Sequence, residues 1–376
     1  MLINSVTLHS IVMPLRTPFT TSFSTQTQRD SFIVEVQGTS QGREVTGWGE
    51  CVALADPLYS PEYLDGAREV IRRWIVPTLS AWQRDREITA QTVGHALGRI
   101  VGHRMAKAAV EMAVLDAELR GEQRSLASWF GAVVDSVPSG VSVGIQDSIP
   151  RLIETVGGYL SEGYVRIKLK VKPGWDIAPV RAVRKEFGDD ILLQVDANTA
   201  YTLQDAAHLR KLDEFGLLLI EQPLGEEDLR QHAKLARLLD TPLCLDESIV
   251  SAQSAADAIA LDAMSVINIK PGRVGGYLEA KRIHDIASAN GIAVWCGGML
   301  ETGLGRAANI ALAALPGFTL PGDISASNRF YELDLTEPIV MKDGYVTVPT
   351  GPGIGVDPIP EVLREVTTGH EELILG

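Results

Sequence analysis

Five ionisable residues recur at almost constant spacing in this 376-residue chain: Lys170, Asp196, Glu221, Asp246 and Lys270, at intervals of 26, 25, 25 and 24 residues. Each stands at or near the end of a short apolar run. The runs are Arg166-Ile-Lys-Leu-Lys-Val171, Ile191-Leu-Leu-Gln-Val-Asp196, Leu217-Leu-Leu-Ile-Glu221, Pro242-Leu-Cys-Leu-Asp246 and Val266-Ile-Asn-Ile-Lys270. One strand, one crossover helix and two short loops need about 25 residues. Successive strands of a parallel sheet therefore end in a lysine, three acids and a second lysine, all at one rim. In α/β barrels that rim carries the chemistry.

Further strands are expected at Val137–Gly144 and Ile292–Cys296, with a short eighth piece near Phe318–Pro321, and helices at Ser148–Gly163 and Leu203–Phe215. So many βα units in one run mean a barrel rather than an open doubly wound sheet. Neither a phosphate loop nor a dinucleotide fingerprint opens any crossover helix. The first segment reads differently, with antiparallel strands at Val6–Met13, Ser31–Val36 and Val45–Val52. Helices follow at Pro61–Leu79 and Met105–Leu119, the latter stopped by Gly121. After Asp323 the period breaks, and Pro338–Met341 and Tyr345–Pro349 read as a hairpin turning at Asp343-Gly344. The expected fold class is α/β, a modified (β/α)7β TIM-type barrel with an α+β cap. Residues 1–127 form the first part of the cap, 128–325 the barrel with the active site, and 326–376 a tail that returns to complete the cap sheet.

Acidic residues outnumber Lys plus Arg by 48 to 34, a net charge of −14, which disfavours a nucleic-acid surface. No apolar run is long enough to span a bilayer, and Met1-Leu-Ile-Asn-Ser lacks a basic n-region, so neither a membrane nor a secretory destination is expected. Cys51, Cys244 and Cys296 are odd in number and far apart, which favours a reduced, cytoplasmic protein. Cys244 shares a strand face with Asp246 and reads as barrel packing, since no histidine accompanies it. None of the seven histidines ends a barrel strand; all read as surface residues.

In the run Arg166 to Lys172 the basic residues share one face, and Ile167, Leu169 and Val171 share the other. The outer face of a barrel meets helices and must be apolar, so Lys168 and Lys170 point inward. Buried ammonium groups need anions or must lose their protons. Asp196, Glu221 and Asp246 end neighbouring strands, and converging carboxylates repel unless a cation sits among them. Three hard oxygen ligands suit Mg²⁺, with Mn²⁺ as a substitute. Singly, each acid also reads as a helix cap or loop charge, and Asp246-Glu-Ser is a fair N-cap. Three such caps at regular intervals between two lysines is the poorer account. A metal ion beside two lysines suits removal of a proton next to a carboxylate, because the ion stabilises the enolate that forms. Lysine serves as base once burial and nearby positive charge bring its pKa toward about 7–8. Lys170 and Lys270 would work from opposite sides of the pocket; a Schiff base is the competing use of a barrel lysine.

Together, Lys168-Leu-Lys170, Val195-Asp-Ala-Asn198, Ile220-Glu-Gln-Pro223, Leu245-Asp-Glu-Ser248 and Asn268-Ile-Lys-Pro-Gly-Arg-Val-Gly-Gly276 resemble the enolase superfamily, muconate-lactonizing subgroup. A lysine or histidine base with Mg²⁺ is a known pattern of that superfamily. Trp295-Cys-Gly-Gly-Met-Leu-Glu-Thr-Gly-Leu-Gly-Arg306 and Leu320-Pro-Gly-Asp-Ile-Ser-Ala-Ser327 are similar to the branch of o-succinylbenzoate synthases that also racemise N-acylamino acids. The resemblance implies metal ligation by Asp196, Glu221 and Asp246 and acid/base work by Lys170 and Lys270. It implies that Lys168 contacts the substrate carboxylate, that Asn198 supports it, and that Ser142, Gly298, Met299 and Leu300 line the pocket. Arg273 would modulate Lys270, and a solvated loop arginine is an equal reading. Phe19 and Phe23, within Pro18–Phe23, would form a lid, and Leu58 with Tyr59 a second; core packing is the alternative for either Phe.

The implied activity is metal-dependent abstraction of an α-proton through an enolate. It would serve o-succinylbenzoate synthesis by syn dehydration, in the menaquinone pathway, and/or racemisation of N-succinyl- or N-acylamino acids. A small-molecule carboxylate substrate and a homo-oligomer are expected. Dipeptide epimerase and muconate cycloisomerase are alternatives, although Gly297-Gly-Met-Leu-Glu301 offers no D-x-D pair for a dipeptide ammonium. A catalytically inactive metal-binding module would lack one of the five rim residues, and all five are present.

Overall fold

Two sheets organise the chain, described here for residues 1–375 of a computed structural model. Strands β1 (Leu2–Thr20), β2 (Thr25–Ser40) and β3 (Arg43–Cys51) form an antiparallel meander. All three run longer than the apolar patterns suggest. Pro18–Phe19 therefore belongs to β1, and the hairpin tip is confined to residues 21–24. The helix Arg104–Glu122 lies across this sheet and continues through Gly121. Gly121 does not stop it; a Cβ there would lie 2.6 Å from Ser40 Cβ, so glycine permits the close approach of helix to sheet. The end comes at Gln123, in the left-handed conformation.

After the short β4 (Ser136–Pro138) come seven parallel strands. They are β5 (Gly140–Val143), β6 (Arg166–Lys170), β7 (Leu192–Asp196), β8 (Ile220–Glu221), β9 (Leu243–Leu245), β10 (Val266–Ile269) and β11 (Ala293–Cys296). Their sheet order follows the chain order, as a curled βα succession requires. The expected eighth strand is reduced to two parallel bridges, Phe318 to Val294 and Gly322 to Ser139, which tie the last strand back to the first. Amphipathic crossovers such as Ile149–Ser161, capped by Ser148, cover the outer face. The stretch from Leu203 to Phe215 is a broken succession of 3₁₀ and α turns rather than one helix.

The tail diverges in two directions. β12 (Met341–Lys342) and β13 (Tyr345–Thr347) form the expected hairpin, but β13 pairs with β4 and not with the N-terminal sheet. The final strand β14 (Thr367–Ile374) is the one that pairs antiparallel with β1. Two histidines are not surface residues. His232 and His284 are buried, His232 accepting from Leu224 N at 3.2 Å and His284 stacked on Phe318.

Candidate active site

Register sets the site. Lys170 lies beside Asp196 across β6 and β7, and Asp196 beside Glu221 across β7 and β8. Alternate residues of a strand share a face, so Arg166, Lys168 and Lys170 enter the barrel together, and all are buried. Inside, Trp295, Leu219, Cys244 and Val266 form a small apolar cluster, with Trp295 Nε1 donating to Cys244 Sγ. Lys168 Nζ lies 4.6 Å from the Trp295 ring centre and the Arg166 guanidinium 5.2 Å, a cation–π arrangement that supports both chains.

Each lysine finds a carboxylate. Lys170 Nζ donates to Asp196 Oδ2 at 2.6 Å and to Asn198 Oδ1 at 2.8 Å. Lys270 Nζ donates to Asp246 Oδ2 at 2.7 Å and to Tyr59 Oη at 3.2 Å. Lys168 Nζ donates to Asp323 Oδ2 at 2.5 Å and Glu221 Oε2 at 3.0 Å. Asp196, Glu221 and Asp246 are wholly buried. Burial, then the neighbouring Asp196, pushes Glu221 up to about 8. Burial also opposes ionisation of Asp196, but Lys170 and Lys168 outweigh it and hold that carboxyl down to about 2.

At Lys270 the shift runs opposite to the lowering expected of a base lysine. Burial would lower Lys270, but Asp246 outweighs burial and holds its ammonium well above the usual lysine value.

Could a divalent ion fit here? Among the described residues, no three His, Cys, Asp or Glu side chains form a finished metal cage; lysine ammonium groups bridge the carboxylates instead. Yet the donors are hard oxygens at the ends of adjacent strands, and buried Asp246 Oδ1 has no hydrogen-bond partner. That donor set suits Mg²⁺ or Mn²⁺, and the residues fit such an ion.

A second layer fixes these groups. Asn198 Nδ2 donates to Glu247 Oε1 and Asn268 Nδ2 to Glu221 Oε1, at 3.0 and 2.7 Å. Asp246 N donates to Gln222 Oε1 at 3.0 Å. Asn198, Thr199, Gln222 and Leu300 all hold positive φ, between 37° and 63°, which for non-glycine residues is strain gathered at the strand ends and pocket wall. Gly297 and Gly298 let the backbone approach neighbouring protein groups closely. A Cβ on Gly297 would lie 2.2 Å from Asn268 Oδ1, and one on Gly298 2.9 Å from Asp323 O.

One pocket gathers nearly all the remaining expected residues. Phe19, Phe23 and Tyr59 reach it from the N-terminal segment, Ser142, Lys168, Lys170, Asn198 and Lys270 from the strand ends, and Gly298, Met299 and Leu300 from the turn after β11. Leu58 does not; its side chain is exposed. Arg273 lies behind the wall, in a neighbouring cavity with Tyr59 and Glu247. It is not a solvated loop arginine. Buried, it sets Nη2 2.9 Å from Asp246 Oδ1, an ion pair whose angle is not that of a hydrogen bond.

The hairpin tip docks by Ile145 N donating to Thr20 O at 2.9 Å and Ser22 Oγ to Asn198 O at 3.2 Å. Phe19 is both wall and packing, edge-on to Phe330 at 6.1 Å. Asp323, Glu301, Asn268 and Glu247 were not expected here. Asn268 carries a readable signal, two residues before Lys270 on the same strand face; Asp323 lies in the quoted Leu320–Ser327 run but outside the 25-residue period.

Comparison with known proteins identifies the family. Residues 151–362 match the enolase C-terminal domain-like family, and residues 3–131 match the mandelate racemase/muconate lactonizing enzyme N-terminal domain. An N-succinylamino acid racemase from an Amycolatopsis species is 63% identical, covering 98% of each chain. An o-succinylbenzoate synthase from Geobacillus kaustophilus is 45% identical over 94% of this chain and 93% of that one. A solved enolase-superfamily member from Listeria innocua is 40% identical and matches the whole of both chains with a TM-score of 0.94. The chain is an enzyme of the enolase superfamily, with the N-terminal domain of the mandelate racemase and muconate lactonizing type.

Proposed function

We propose that this enzyme removes the α-proton of a small carboxylate through an enolate, racemising N-succinyl- and other N-acylamino acids and dehydrating the o-succinylbenzoate precursor of menaquinone synthesis. The observation that carries this is the pair of buried lysines, Lys170 on the second barrel strand and Lys270 after the sixth, lining one pocket with a separate carboxylate partner each. Asp196, Glu221 and Asp246 would hold a Mg²⁺ or Mn²⁺ ion, which supplies positive charge to the enolate oxygens when bound.

In racemisation, one lysine takes the α-proton from one face and the other returns a proton to the opposite face. In dehydration, Lys170 takes the proton and then gives it to the departing hydroxide, while Lys270 stays cationic beside the enolate. Asp246 and Tyr59 hold Lys270 as the ammonium, ready as the acid. Asp246 engaged as a metal ligand would stabilise that ammonium less, and so free Lys270 to act as base. The docked hairpin and Phe19, Phe23 and Tyr59 exclude water from the enolate.

We also take the enzyme to be a cytoplasmic homo-oligomer; its three cysteines are free and buried, and no helix of the described residues is long and apolar enough to cross a membrane. The test is a side-by-side kinetic comparison of the dehydration substrate with a panel of N-acylamino acids, a dipeptide and muconate. Turnover of the first two classes above the others is expected; preference for the dipeptide or muconate would overturn the assignment.

A further inference from the structure

Asp323 follows the eighth segment of the barrel, next to the bridge that Gly322 makes with Ser139, and its carboxylate lines the pocket. Its Oδ2 accepts from Lys168 Nζ at 2.5 Å, and its Oδ1 accepts from Arg166 Nη2 at 2.8 Å and Ser142 Oγ at 3.3 Å. Lys168 Nζ is also 3.0 Å from Glu221 Oε2 and 3.4 Å from Asp196 Oδ2. One ammonium is thus shared among three carboxylates, two of which are the ligands assigned above to a divalent ion.

The shortest of the three contacts is the one to Asp323, and Asp323 is held independently of Lys168. Arg166 is fully buried and anchored by donating to Pro321 O at 3.0 Å and Val141 O at 3.4 Å. Gly140 leaves the guanidinium its room, since a Cβ there would lie 2.4 Å from Arg166 Cζ. Burial alone would raise the Asp323 pKa, but Lys168 and Arg166 outweigh it and hold the carboxyl well below the usual range, so it is an anion throughout the working pH.

We propose that Asp323 is a positioning residue that draws the Lys168 ammonium toward the far side of the pocket and so weakens its hold on Glu221 and Asp196, whose oxygens a divalent cation would need. This rests on the metal site of the proposed function. Lys168 is a tethered cation on the same strand face as Lys170, and without Asp323 it would move closer onto Glu221 and Asp196 and compete more strongly for the place of the ion. Removing Asp323 also subtracts one negative charge from the neighbourhood directly. A double-mutant cycle with Lys168 separates the two effects.

The experiment is titration of Mn²⁺, followed by the electron paramagnetic resonance signal of the free ion, into the parent enzyme, Asp323→Asn, Lys168→Met and the double variant. Asp323→Asn is expected to raise the Mn²⁺ Kd by about tenfold or more, and by only about threefold or less in the Lys168→Met background. Asp323→Glu, which restores the charge, should regain most of the affinity. Should Asp323→Asn fail to fold, Asp323→Ser makes the same comparison with a smaller neutral side chain. A parent that takes up no Mn²⁺ would overturn the metal reading of the site, and the inference with it. A parent that binds Mn²⁺ while Asp323→Asn binds equally well, or shifts equally in both backgrounds, would overturn the positioning role alone.

Discussion

Replacing Glu50 by glutamine should change how the stability of this protein depends on pH. Glu50, next to last in β3, reaches from the N-terminal sheet to the start of the helix Gly303–Ala313. Its carboxylate accepts from Thr302 N, from Thr302 Oγ1 at 2.8 Å and from Gly305 N at 3.1 Å. Burial, then the neighbouring Glu301, pushes its pKa from 4.5 up to about 7. A carboxyl whose folded pKa is raised binds its proton more tightly in the folded state. The stability this supplies is fully present below 4.5 and is lost as pH rises through 7. A rise of about 2.5 units, at about 1.4 kcal/mol per unit, amounts to roughly 3 kcal/mol.

Glutamine keeps the shape and one acceptor oxygen but does not titrate. Glu111, raised to about 7, and Asp116, raised to about 6, titrate in the same window. The informative quantity is therefore the difference between variant and parent. Urea denaturation of both, at intervals from about pH 5 to pH 8, should show the variant gaining about 2–4 kcal/mol on the parent. A difference that stays flat with pH, or that moves the other way, would refute the reasoning.

Three smaller predictions concern the walls of the pocket. Tyr59→Phe keeps the ring 5.2 Å from Lys270 Nζ but removes the hydroxyl that accepts from it; racemisation kcat should fall about 3–10-fold with melting temperature unchanged, as steady-state kinetics would show. Gly297→Ala would drive a Cβ into Asn268 and so displace the group that holds Glu221; a loss of about 100-fold in kcat/KM is expected, against little loss if the pair were an ordinary turn. Arg329 donates to Ser142 O at 2.8 Å and stacks over Phe330, Tyr159 and Phe19 at 4.6, 5.0 and 5.8 Å. Arg329→Met should lower stability by about 1–3 kcal/mol and speed proteolysis at residues 17–25, which limited digestion would detect.

The barrel rim was legible because each of its five residues ends a strand or directly follows one, and a strand with its crossover has a nearly fixed length. Strand alternation likewise placed Lys168 and Lys170 inside, where both are buried. Asp323 escaped because the eighth strand is only two bridges, with neither an apolar run nor a place in the period to mark it. Glu50 and Glu111 escaped for another reason. Most of their partners are backbone N–H groups, 252 and 166 residues away at the nearest, and backbone leaves no signature in sequence. His232 and His284 were misplaced because a histidine satisfied by a helical carbonyl or a loop carbonyl looks, in sequence, like any polar residue. The hairpin of β12 and β13 was read correctly as local structure, but its partner β4 is a three-residue strand with too little pattern to announce it.

The central claim is that Lys170 and Lys270 act on opposite faces of one substrate. It is tested most directly by proton NMR of N-succinylamino acid enantiomers in D₂O with Mg²⁺ and Lys270→Ala. The account predicts that the variant loses racemisation by about 100-fold or more while still exchanging the α-proton of one enantiomer. Racemisation by Lys270→Ala at the parent rate would contradict it.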